Sequence, residues 1–88
     1  MLFMIIEHFK DPLLVYRRLR EHDRMLPEGL TYVSSWVAAT FKLCFQLMEC
    51  EDLTVLQEWL LQWQDLGDYE IVPVVESAQA RKVIEPFL

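Results

Sequence analysis

Glycine is almost missing from this chain, with Gly29 and Gly67 the only two among 88 residues. That excludes a glycine-rich phosphate loop, which needs several glycines so that backbone amides can approach the anion. Histidine and cysteine are equally scarce. His8, His22, Cys44 and Cys50 have neither zinc-ligand spacing nor a Cys-x-x-Cys pattern, so no metal and no cofactor is expected. Positive charge is short as well: eight Lys and Arg stand against fourteen Asp and Glu, for a net charge of -6. Nucleic acid and anionic membrane both attract basic surfaces, so neither is an expected partner. Long apolar runs are lacking too. Met1 to Ile6 is apolar but short, has no basic residues before it and is closed by Glu7, His8 and Lys10, so it reads as neither a signal peptide nor a membrane span. The expected compartment is the cytoplasm, where Cys44 and Cys50 stay reduced.

What is present suits one domain over residues 1–88, because two cores of half this size would each bury too little apolar surface. Leu2 to Phe9 is apolar on both parities, as a strand covered on both faces would be. Asp11 and Pro12 then start a helix: the Asp side chain caps a free N–H and Pro loses nothing at the first helical position. The helix is expected to run to about Met25, with Val15 and Leu19 inward and Arg17, Arg20 and Arg24 in a row outward. Pro27 and Gly29 turn the chain into two β-branched and aromatic runs, Leu30 to Val37 and about Phe41 to Glu49, which read as an antiparallel hairpin. Asp52 caps a second expected helix, Leu53 to Leu66, closed by Gly67, whose apolar positions fill an arc of about 160°. Trp59 and Trp63 lie within that arc, and packing of the helix on a sheet is the plain account of them. A last strand, Tyr69 to Glu76, contains Pro73, whose missing N–H suits an edge. Residues 77–88 form a tail or short helix.

The order predicts an α+β, ferredoxin-like β-α-β-β-α-β sandwich: a four-stranded antiparallel sheet with two helices on one face. Right-handed crossovers put strands one and three in the middle. The other sheet face has no helix to cover it, and a second copy of the same sheet is the economical cover.

Several strings carry a resemblance: MLFMIIEHFK, VYRRLR, MLPEGL, SSW, CFQLME, EWLLQW and DYEIVPV. Together they resemble an uncharacterised bacterial family of about ninety residues, a domain-of-unknown-function family, over nearly the whole chain. The resemblance implies the wider dimeric α+β barrel group, in which two ferredoxin-like sheets close face to face around an apolar cavity. That group includes cofactor-free monooxygenases, muconolactone-type isomerases, haem-degrading enzymes and plain ligand binders, so fold does not choose an activity. No string matches the catalytic motif of any of them.

Candidate residues follow from strand parity. Leu43, Phe45 and Leu47 are purely apolar and expected under the helices, which leaves Cys44, Gln46 and Met48 facing the dimer cavity beside Tyr32, Ser34 and Trp36. Aromatic walls with a few hydrogen-bonding groups suit a small apolar ligand, although the same residues can simply form a dimer core. His8 is the candidate general base, because imidazole is the side-chain type most used for proton transfer, and Glu7, of opposite parity, is the alternative buried carboxylate. Arg17, Arg20 and Arg24 are anion-binding candidates, or else an ordinary solvated face. Three readings remain at this point: a homodimeric module binding an apolar or aromatic small molecule, a cofactor-independent monooxygenase or isomerase, and a structural or regulatory dimer without ligand.

Overall fold

A computed structural model describes residues 1–88. The elements run β1 (Leu2–Phe9), α1 (Pro12–His22), β2 (Thr31–Val37), β3 (Leu43–Glu49), α2 (Leu53–Leu60), β4 (Gly67–Val74) and α3 (Ser77–Ile84), with single 3-10 turns at Gln64–Leu66 and Glu85–Phe87. The four strands form one antiparallel sheet in the order β2-β3-β1-β4. This is the expected ferredoxin-like order with β1 and β3 central, followed by a third helix. Pro73 sits on β4, an edge strand, where no ladder hydrogen bond need be lost.

Both helix starts use the caps legible in the sequence. Asp11 accepts from the Leu13 N–H at 3.0 Å with Pro12 next to it, and Asp52 accepts from the Thr54 N–H at 2.9 Å. Both helix ends come earlier than periodicity suggests. Helix α1 stops at His22, because Asp23 adopts φ 57 and leaves the helical path. Helix α2 stops at Leu60 and continues as a turn and a 3-10 turn, so Gly67 begins β4 in an extended conformation rather than capping a helix.

Helices α1 and α2 cover one sheet face. Phe3 and Ile5 of β1 and Met48 of β3 pack there against Val15 of α1, Leu56 and Trp59 of α2, and Trp63 and Leu66 beyond it. Ile5, Met48 and Leu56 have no exposed surface, and burying each such side chain stabilises by roughly 1.5–3 kcal/mol. Arg18 on α1 forms a paired hydrogen bond to Asp65 at 2.7 and 2.8 Å and also reaches the Gln62 carbonyl, fastening α1 to the turn after α2.

The expectation that Leu43, Phe45 and Leu47 lie under the helices is reversed. The register pairs Phe3 with Met48, Ile5 with Gln46 and Glu7 with Cys44, so the even-numbered set of β3 faces the helices. Leu43, Phe45 and Leu47 lie on the open face with Leu2, Met4 and Ile6, all only partly covered. Parity could not decide this, because both sets are largely apolar and the polar member of the inner set, Gln46, finds partners inside.

Strand β4 begins against β1, with Gly67 opposite Phe9, and a Cβ placed on Gly67 would stand 2.5 Å from the His8 carbonyl oxygen. Gly67→Ala must therefore push β4 away from β1 at its first pair. The expected cost is about 1–3 kcal/mol, read as a lower urea midpoint with unchanged slope.

Candidate functional site

The helix-covered face is not wholly apolar. Glu7 and Gln46 are its two buried polar side chains, 6% exposed each, at the centre of the sheet where β1 and β3 pair. Gln46 Nε2 donates to Glu7 Oε2 at 3.3 Å, and Arg24 Nε donates to Gln46 Oε1 at 3.3 Å. The Cys44 thiol lies opposite Glu7 in the register, on the same helix-covered face. No buried side-chain nitrogen or oxygen lacks a partner, as a polar cluster in a low-dielectric core requires.

Arg24 reaches this cluster from the connection between α1 and β2. Asp23 and Met25 on either side of it both have positive φ, 57 and 56, which favours glycine and costs side-chain-bearing residues on the order of 1 kcal/mol each. What holds the bend is the Arg24 carbonyl oxygen, which accepts from the indole Nε1 of Trp59 at 3.0 Å and of Trp63 at 3.1 Å. The guanidinium then lies over the Tyr32 ring, 3.7 Å from its centroid, while the Tyr32 hydroxyl bonds Ser35 Oγ at 2.7 Å. A row of three arginines on α1 therefore does not form. Arg17 and Arg20 are exposed on the helix, and Arg24 is turned inward, because α1 ends before reaching it.

Between α1 and the sheet these groups border a partly open cavity of about 120 Å³. Its floor is Glu7, Cys44 and Gln46. Apolar walls come from Phe9, Val15, Leu19, Val37, Trp59 and Trp63, and Tyr16, Arg24 and Ser35 complete the lining. The volume is close to that of a cavity able to hold a benzene-sized molecule, about 150 Å³. Burial pushes the Glu7 carboxyl up from 4.5 to about 7, partly opposed by the Cys44 hydrogen bond and the Arg24 charge. Burial, with Glu7 nearby, pushes the Cys44 thiol up to about 12, so near neutrality it is a hydrogen-bond donor and not a thiolate nucleophile. Tyr69, opposite Glu7 on β4, is raised by the same burial and donates to the Trp63 carbonyl at 3.0 Å.

The residues expected together are thus divided between the two faces. Cys44 and Gln46 line the helix-side cavity, with Met48 fully buried beneath it and Tyr32 stacked on Arg24. Ser34 and Trp36 lie on the open face, because a bulge between Tyr32 and Ser34 shifts the parity of β2; Ser35 takes the inward position instead. His8 is also on the open face, exposed, with Nε2 3.7 Å from Glu70. His22 is exposed at the end of α1. Of the two acid-base candidates on β1, it is Glu7 that borders the cavity.

Because the Glu7 carboxyl titrates higher folded than unfolded, the folded state retains the proton that the unfolded chain loses. Stability is fully present below about pH 4.5, falls as pH rises and levels off above about pH 7, a loss of about 3 kcal/mol. Glu7→Gln should flatten that fall. Urea unfolding at a series of pH values checks both statements, and an unchanged slope in the variant would assign the dependence to another group.

No curated protein matches the chain. Its sequence matches a family model over residues 1–88, and with that full-length match the chain belongs to the family described as a domain of unknown function, DUF3303.

Proposed function

We propose that this chain is a cytoplasmic, homodimeric binding module of the dimeric α+β barrel group. Its ligand is a small, ring-sized, largely apolar molecule bearing one hydrogen-bonding group. The ligand lies under α1 within each protomer and not between paired sheets. The observation that carries this reading is the cavity itself, with two indoles and three aliphatic side chains as walls and a single polar floor. An apolar body with one orienting polar contact is the usual chemistry of a small-molecule site. The carboxyl of Glu7, half-protonated near neutrality, accepts or donates a hydrogen bond, while Gln46 and Arg24 fix its orientation. The dimer is supported by the open sheet face, where Leu2, Met4, Ile6, Phe45 and Leu47 lie side by side and partly exposed. In such a dimer His8, Ser34 and Trp36 would lie on the face that the partner covers.

A second reading, cofactor-independent proton transfer, is favoured by the same carboxyl. A general base works best when its pKa lies near the working pH, and Glu7 meets that condition beside a largely apolar pocket. On this reading Gln46 would stabilise charge developing on the substrate.

Phenol, aniline and benzene serve as probes, with Trp59 and Trp63 as fluorescent reporters in the cavity wall. Phenol and aniline should quench or shift the indole emission saturably and compete with one another. Glu7→Ala should weaken phenol and aniline by roughly tenfold or more while leaving benzene within about twofold, since only the former use the polar floor. Absence of saturable binding by all three would sink the binding reading.

A further inference from the structure

Residues 75–88 form an arm that is exposed along its whole length. None of α3 is buried. Yet the arm is rich in apolar residues: Ala80, Val83 and Ile84 share one side of α3 at i, i+3 and i+4, and Phe87 and Leu88 follow in the 3-10 turn and at its end. Val83 is 71% exposed and Phe87 84%. A short helix without a covered apolar face is marginal in water, so the stripe belongs against a surface that the protomer does not itself provide.

The size of the missing surface can be gauged. A compact protein of this mass exposes about 5,400 Å², whereas this protomer exposes 6333 Å². The excess of about 900 Å² matches the roughly 800 Å² that one partner contributes to a standard interface. The radius of gyration points the same way, 14.8 Å against about 12 Å for a compact domain of this length. The arm carries Arg81 and Lys82 together with Glu76 and Glu85, so its side chains have no net charge to keep it away from a body rich in carboxylates. The apolar stripe of the arm matches the apolar open sheet face in chemistry, and both surfaces belong to this chain.

We propose that the arm docks on a second copy of this chain, each protomer laying α3 across the partner's open sheet. The stripe packs on the apolar residues of β1 and β3, and Arg81 and Lys82 meet carboxylates at the margin. This rests on the homodimer reading and adds to it the element that completes the interface. Neither protomer buries its own stripe, so the exchange is reciprocal, as a two-fold interface requires.

The test is sedimentation equilibrium of the full chain beside V83D/F87D, with near-UV circular dichroism of the buried tryptophans as the control for folding. The arm contributes nothing to the protomer core, so the variant should fold normally while its dimer dissociates at least about tenfold more readily. Isotope-filtered NOEs in a mixed labelled and unlabelled dimer should connect the Val83 and Ile84 methyls of one copy to the Phe45 ring of the other. A wild-type dimer that the variant does not weaken, or NOEs confined to one chain, would overturn the arm exchange and leave the dimer standing. A full chain that stays monomeric overturns both. If that monomer instead bound phosphatidylglycerol vesicles through Val83 and Phe87, the stripe would belong to a lipid surface.

Discussion

A single carbonyl oxygen, that of Arg24, organises the helix-covered half of the molecule. It accepts hydrogen bonds from two indoles on successive turns, Trp59 and Trp63, and so ties the connection after α1 to α2 and the turn beyond it. Both indole donors are satisfied by one acceptor, which lets two large aromatic residues sit almost fully buried without stranding a polar group. The cost is two left-handed residues, Asp23 and Met25. The return is direction, since a chain held by its carbonyl at this point sends the Arg24 side chain over Tyr32 and toward Gln46. Without that bend α1 would run on, Arg24 would join Arg17 and Arg20 in solvent, and the sheet centre would hold a carboxyl and an amide without their cation.

The buried polar cluster in turn explains why the cavity exists. A core built for stability alone would fill the space above Glu7 with an aliphatic side chain, because a buried carboxyl costs more than its hydrogen bonds return. Here Glu7 is retained and pushed to about 7 by its surroundings, and space is left beside it. A strained connection, a buried ionisable group and an unfilled volume converge on one place. Local rules give way at functional sites more than elsewhere, and each of these three departures involves a residue that lines the same pocket or contacts its lining.

The sequence made the fold legible because its signals there were local. Asp11-Pro12 and Asp52 cap helices, Pro73 demands an edge, and the element order leaves one economical topology for the sheet. The site was less legible, for two physical reasons. Both faces of this sheet are apolar, so strand parity grouped Cys44, Gln46 and Met48 correctly but could not say which face they point to. A one-residue bulge in β2 then exchanged Ser34 for Ser35 at the inner position, and nothing local in the sequence marks it. The one available clue was Glu7, a charged residue sharing parity with Phe3 and Ile5. A carboxylate on an otherwise apolar stripe needs a partner across the sheet, and Gln46 is the polar residue on β3 that register brings near enough to serve.

The two faces answer to different constraints, and that division bears on how the molecule can work. Polar groups are concentrated where the protomer can satisfy them internally, under α1 and α2, whereas the open face is left apolar and incomplete. An open face of that kind tolerates substitution poorly if a second chain must match it, but it places no demand on the chemistry of the pocket behind it. Ile5 and Ile6 sit next to each other on β1, one fully buried against the helices and the other partly exposed on the far side. The central strands are therefore a direct path by which events at one face reach the other. A ligand that drew Glu7 into its ionised form would alter the hydrogen bonds that join β1 to β3 through Gln46, and those two strands carry most of the apolar surface available to a partner. That strand pair is the shortest physical connection between the pocket and the open face.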